Sequence, residues 1–150
     1  MRRALLAAAQ DPPAIVDTGL FVALFDPDDR WHVSATRWLA NANGRLLTVE
    51  AVLTEAAYFL PEHRRGELAD LAASGVFELI ALDPKAYRRI AELLRKYSHQ
   101  DPDWADICLV WLAERSNVLR IVTVDTTGFS IYRVNGRNRF DLVDWQRRLA

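Results

Sequence analysis

Two short apolar runs in this chain each end in an aspartate: Ala14-Ile15-Val16-Asp17 and Ile121-Val122-Thr123-Val124-Asp125. Runs this short, rich in branched residues, read as strands buried on both faces. Such strands belong to parallel sheets covered by helices on either side. The chain between them supplies helical patterns. Gly19 to Phe25 starts a helix that Asp26-Pro27-Asp28-Asp29 breaks. Trp31 to Asn41 has helical spacing, with Trp31, Ala35, Trp38 and Leu39 on one side. Asn43-Gly44 is a turn, and Arg45-Leu46-Leu47-Thr48 a second strand. Glu50 to Leu60 is a helix closed by Pro61, and Glu62 to Ala73 another, stopped by Ser74-Gly75. Val76 to Ile80 is a third strand. Asp83-Pro84 opens a helix to about Tyr97 with an N-cap and a proline at the first position. Asp101-Pro102 opens another, to about Ser116. Near the end, Val134-Asn135-Gly136-Arg137 is a turn before a last strand, Phe140 to Val143.

Strands alternating with helices predict an α/β fold with a mainly parallel sheet. Open sheets of this kind bind ligands beyond the carboxyl ends of their strands. Asp17 and Asp125 stand at that edge. The 150 residues fit one domain, and 51% apolar content is enough for a core without disulfides. The single cysteine, Cys108, excludes an internal disulfide and an intrachain thiolate cluster, a pattern suited to a reducing cytosol. No apolar run is long enough to span a bilayer. Met1-Arg2-Arg3 followed by Ala4 to Ala9 faintly resembles a signal peptide, but Asp11 follows closely. Residues 1–13 therefore read as an N-terminal extension, and 14–150 as the domain. The net charge of −1 gives no global field attracting nucleic acid. Apart from Lys85 and Lys96 the basic residues are arginines. Guanidinium forks suit phosphate, although a biased base composition gives the same preference.

The carboxylates need individual reading. Asp17 and Asp125 end strands, where an aspartate also serves as a helix N-cap. Glu55 is three residues from Val52 and four from Phe59, on the apolar stripe of its helix. A carboxylate there is costly unless it is paired, reaches solvent or meets a cation. Asp103 and Asp106 share one helix face in the first turn, where the helix dipole favours negative charge. Capping and ion binding are both open for Asp103. Asp106 precedes the apolar run Ile107-Cys108-Leu109-Val110-Trp111. Thr123 lies two residues before Asp125, so its hydroxyl can orient a neighbouring carboxylate. Acids gathered at one place repel unless a cation lies between them. All-oxygen ligation suits Mg²⁺ or Mn²⁺. His32, His63 and His99 have no zinc spacing. Phosphate-binding glycine loops and the G-x-S-x-G elbow are absent.

Four ordered segments resemble the motifs of PIN-domain ribonucleases, and within them the VapC-like toxins of type II toxin–antitoxin pairs. They are Ile15-Val16-Asp17-Thr18, Val52-Leu53-Thr54-Glu55-Ala56, the stretch from Trp104 to Glu114, and Val122-Thr123-Val124-Asp125. The resemblance covers roughly Ala14 to Val143. It implies a three-layer α/β/α fold and an endoribonuclease dependent on Mg²⁺ or Mn²⁺. By position, Asp17, Glu55, Asp106 and Asp125 match the family's acidic quartet. Asp103 matches an acid some members carry before the third, and Thr18 the hydroxyl residue after the first. Members often have a further acid before a Phe and a Tyr-Arg pair. Phe129, Tyr132 and Arg133 are in place, but Gly128 stands where that acid would be. The resemblance also implies a homodimer and a small antitoxin partner, with the helices Trp31 to Asn41 and Glu50 to Ala73 as groove walls.

In this reading RNA lies across the carboxyl edge, held by phosphate contacts from Arg133, Arg137 and Arg139. Unpaired RNA is the natural substrate, and Trp31 or Trp104 can stack on a base or pack in the core. The alternatives are an RNA-binding PIN-like protein that does not cut, and a housekeeping PIN nuclease. A phosphorylated receiver domain would need an acidic pair after the first strand and a lysine after the last core strand. The chain has neither.

Overall fold

The computed structural model describes residues 9–146, so the apolar segment before Ala9 lies outside the described residues. The first strand, β1 (Ala14–Val16), is wholly buried and leads into α1 (Thr18–Phe25) and α2 (His32–Asn41). Then come β2 (Leu46–Thr48) and α3 (Glu50–Phe59), followed by α4 (Arg65–Ser74). A third strand, β3 (Glu78–Leu79), precedes α5 (Pro84–Lys96), α6 (Trp104–Ser116) and β4 (Arg120–Val122). The chain closes through α7 (Thr126–Ile131), the hairpin β5 (Arg133–Val134) and β6 (Asn138–Arg139), and β7 (Asp141–Leu142).

The five-stranded sheet has the order β3-β2-β1-β4-β7, and every neighbouring pair is parallel. The chain moves outward from β1 to β3, then returns through α5 and α6 to β4 on the other side of β1. Right-handed crossovers therefore put α1–α4 on one face and α5–α6 on the other. The direction of travel reverses between β1 and β4, where the helices diverge and leave a crevice. The register Ile15 with Ile121 and Val16 with Val122 aligns the ends of the two strands. The Asp17 N–H closes that pairing by donating to the Val122 carbonyl at 3.0 Å.

Local chemistry explains most boundaries. Asp83 caps α5 by accepting from the Ala86 N–H, with Pro84 at the first position, and Ala86, Ile90, Leu93 and Tyr97 form its buried stripe. In α6 every residue from Ile107 to Ala113 is buried, so the helix runs through the middle of the core. Gly75 ends α4 in the left-handed conformation at φ 79°, and Asn135-Gly136 makes the hairpin turn with φ 53° and 73°. Asp11 and Asn43 exchange backbone-to-side-chain bonds, tying the start of the described chain to the turn before β2.

Three sequence expectations change. The helix assigned to begin at Asp101-Pro102 begins at Trp104, because Asp103 rather than Asp101 supplies the cap, accepting from the Ala105 N–H at 2.8 Å. The strand assigned to run through Val124 ends at Val122, and Asp125 caps a helix, α7, that the short Thr126–Ile131 stretch did not announce. Phe59, placed on the buried stripe of its helix, is 59% exposed, since that stripe turns outward at the last turn of α3.

Candidate active site

Asp17, Glu55, Asp103, Asp106 and Asp125 line one cavity of about 720 Å³ beyond the carboxyl ends of β1 and β4. Each arrives from a different local structure. Asp17 and Asp125 follow β1 and β4, Glu55 comes from α3, and Asp103 and Asp106 from the start of α6. Residues distant in sequence meet because β1 and β4 are neighbours and α3 and α6 pack together at this edge.

Asp17 is buried and its carboxylate is fixed on both oxygens. One accepts from the Thr18 N–H at 2.7 Å, the other from the Thr123 hydroxyl at 2.7 Å. Thr123 in turn accepts from the Asp125 N–H at 3.0 Å, so one hydroxyl links two strand-end acids. The capping and site readings of Asp17 are thus combined in one side chain. Asp125 is likewise a cap, accepting from the Gly128 N–H at 2.9 Å. Two supports were missed in the sequence. The buried Trp145 donates its indole N–H to the Thr123 carbonyl at 3.1 Å and packs edge-on against Trp31. A Cβ on Gly128 would stand 2.2 Å from an Asp125 carboxylate oxygen. A side chain there would have to displace that carboxylate, a constraint that sequence alone registers merely as a glycine.

The electrostatics follow from burial and crowding. Asp106 is pushed up to about 8, first by burial, then by the charges of Asp17, Asp103, Asp125 and Glu55. Glu55 is pushed up to about 7 by burial and by Asp103 and Asp17. Asp17 is also raised, with burial outweighing the two hydrogen bonds that favour its charge. These groups titrate as a set, and each resists ionisation because several negative charges cannot readily coexist in a partly dry site. The Tyr132 phenol, at the same wall, is raised for the same reasons.

A hard divalent cation suits this donor set, which is oxygen-only and mutually repelling. The Thr18 hydroxyl is buried in the cavity wall with no partner at full hydrogen-bonding geometry among the described residues, and Glu55 is the carboxylate it faces. That hydroxyl, by donating toward the Glu55 carboxylate, partly offsets the burial and like charges that raise it. Among the described residues, however, no three Asp, Glu, His or Cys side chains close on a single point. The acids are spaced around the wall, so bound water would complete any coordination, as Mg²⁺ commonly requires.

The remaining expected residues lie elsewhere. Arg133 turns its guanidinium back on the carbonyls of Ser130, Ile131 and Tyr132 at the end of α7. Arg137 and Arg139 are exposed on the hairpin, outside the cavity wall. Trp104 is 53% exposed beside the cavity in a neighbouring apolar groove, while Trp31 lines the cavity itself. Arg30, Asp29 and Asp101 also line it and were not anticipated.

Comparison with known proteins agrees with this architecture. The family model described as PIN domain matches residues 14–135. Ribonuclease VapC26 of Mycobacterium tuberculosis (strain ATCC 25618 / H37Rv) is 29% identical over 134 residues, covering 86% of this chain and 98% of the relative. Among solved structures, Mycobacterium tuberculosis VapC20, described as a sarcin-ricin loop cleaving toxin, superposes with a TM-score of 0.67. It is 19% identical, with 72% of this chain and 86% of that one covered. VapBC2 from Rickettsia felis, bound to a DNA fragment from its promoter, gives 0.59 at 17% identity, covering 89% and 98%. A toxin–antitoxin complex from Klebsiella pneumoniae gives 0.59 at 17%, covering 87% and 95%. At these identities the structures bear on the fold.

Proposed function

The chain belongs to the PIN-domain family, and from that premise we propose that it is an endoribonuclease dependent on Mg²⁺ or Mn²⁺, the toxin of a type II toxin–antitoxin pair. Residues 14–150 are its nuclease domain in this reading, with 1–13 preceding it. The observation that carries the reading is the gathering of Asp17, Glu55, Asp103, Asp106 and Asp125 around one cavity. The ribonuclease relative, matched along nearly its whole length, supports the substrate class.

Asp17 and Asp106 would hold the ion directly. Asp17 is preset for this by its bonds from Thr18 and Thr123, which leave its remaining lone pairs facing the cavity with little freedom. Glu55 and Asp125 would act as further ligands or orient water. Bound there, the cation would supply Lewis acidity toward the scissile phosphate and its attacking water. Without an ion, burial and like charges raise Glu55 and Asp106, and a bound cation would favour their ionised forms. RNA would enter single-stranded, because unstacked backbone can bend into a cleft. Arg137 and Arg139 would contact phosphates outside the cavity, whereas Arg133 would first have to leave its carbonyls. A small antitoxin partner is part of the proposal, supported by the solved toxin–antitoxin complexes of the same fold, and homodimerisation and an antitoxin segment over the cavity are proposed from the family resemblance alone.

The test is incubation of the purified chain with mixed RNA, with and without Mn²⁺ or Mg²⁺, beside Asp17→Asn and Asp106→Asn. Cutting that requires the metal and disappears in both folded variants is the expected result. Equal cutting by all three would mean a contaminant or another site. One observation favours a second reading, an RNA-binding protein that does not cut: Gly128 stands where the family resemblance leads one to expect a further acid. Binding of RNA without metal-dependent cutting would support it. An antitoxin-like reading frame beside the gene would separate a toxin from a housekeeping nuclease.

A further inference from the structure

Seven carboxylates and a single guanidinium, that of Arg30, line the acidic cavity. Arg30 is exposed, and among the described residues no carboxylate lies within ion-pairing distance of it. Its partner is an aromatic face: the guanidinium carbon sits 4.4 Å from the centroid of the Trp31 ring. A guanidinium stacked in this way keeps its N–H edge free, and that edge is the part that matches a phosphate.

The position is rigid from below. The loop between α1 and α2 is built on Asp26 and Asp29. Asp26 accepts from the Asp28 and Asp29 N–H groups, and Asp29 from those of Trp31 and His32. His32 bonds the Ala23 carbonyl through Nδ1 at 2.7 Å, anchoring the loop to α1. Trp31 packs on Trp145, which holds the Thr123 carbonyl, and Thr123 holds Asp17. The cation and the central carboxylate are therefore mounted on one connected support. A polyanion entering a wall of acids meets repulsion everywhere except at this edge.

We propose that Arg30, stacked on Trp31, binds an RNA phosphate flanking the scissile one and so positions the strand over the carboxylates. This rests on the nuclease reading, deepens it, and makes Arg30 a positioning residue. The test measures binding of a fluorescein-labelled, mixed-sequence single-stranded RNA to the full chain carrying Asp106→Asn, so that the probe stays intact. Adding Arg30→Gln is expected to weaken binding about ten-fold, the scale of one charge-assisted bond. The slope of log K against log salt should become shallower by about 0.7, one phosphate contact on a single strand. Arg30→Lys should keep the slope and lose part of the affinity. Lys85→Gln, which removes an equal charge from the exposed start of α5, should change neither. An unchanged affinity and slope in Arg30→Gln, or the same losses in Lys85→Gln, would overturn the inference, as would failure of the parent to bind RNA. Cutting by the wild-type chain is assayed separately. Metal-dependent cutting with an indifferent Arg30 defeats this inference alone. No cutting, with binding still lost in Arg30→Gln, defeats the nuclease reading and the positioning role with it, leaving Arg30 as an RNA-phosphate contact only.

Discussion

Gly128 illustrates how one residue can carry two demands at once. Its N–H caps on Asp125, and its missing side chain leaves space for the same carboxylate. Alanine there gains about 1 kcal/mol of helix propensity but must push Asp125 aside and weaken a cap worth about 1 kcal/mol. These terms nearly cancel, so Gly128→Ala should melt within a few degrees of wild type. Its metal-dependent RNA cutting should nevertheless fall about ten-fold or more, a loss of transition-state stabilisation. Initial rates and a thermal melt check both halves. Undiminished cutting would mean that Asp125 tolerates displacement and has no direct part in the chemistry. An acid at this position, Gly128→Asp, meets the same carboxylate and must displace it in the same way, with like-charge repulsion added.

Among the elements, the start of α6 is the most informative, because Asp103 both caps the helix and charges the cavity. Asparagine caps about as well as aspartate. Asp103→Asn should therefore keep the melting temperature, while Asp103→Ala should lower it by about 2–4 °C for a loss near 1 kcal/mol. If the charge matters to ion binding, both variants lose cutting to a similar degree despite their different stabilities. Full activity in the asparagine variant would leave Asp103 as a cap only. The sequence read these elements well where local chemistry decides: Asp83-Pro84, Asn135-Gly136 and Ser74-Gly75 each mark a boundary by themselves. It misjudged Asp101 against Asp103, since both residues cap equally well and packing chose between them. It missed α7 because six residues, one of them glycine, carry too little periodicity to register.

Across the whole molecule the metal-free site works against stability. Asp106 and Glu55 are raised to about 8 and about 7 in the fold, from ordinary carboxyl values near 3.8 and 4.5. The folded chain thus holds protons that the unfolded chain has released. The stability linked to these protons is fully present below about pH 4 and drains away as the pH rises toward 8. In EDTA, the melting temperature should fall between pH 5.5 and 8, and Mn²⁺ should raise it more at pH 8 than at pH 5.5. Asp106→Asn should flatten the metal-free profile. A wild-type profile that is flat in EDTA, with no stabilisation by Mn²⁺ at either pH, would remove the argument that a cation relieves the repulsion. No helix among the described residues is long and apolar enough to cross a membrane.

The sequence by itself determined the α/β class, the strand-end position of Asp17, the place of Asp125 just beyond β4, and the partial burial of Glu55 and Asp106. Each is written in short-range pattern: apolar runs, helical spacing and capping chemistry. Tertiary structure alone decided the rest. It set β4 beside β1, which brings Thr123 onto Asp17 across 106 positions of sequence. It turned Arg133 back onto the end of α7 and placed Arg30 at the cavity wall instead. It also set Gly128 directly against the Asp125 carboxylate. The reason is that contacts between residues far apart depend on sheet order and helix packing, and these minimise the free energy of the whole chain rather than of any segment.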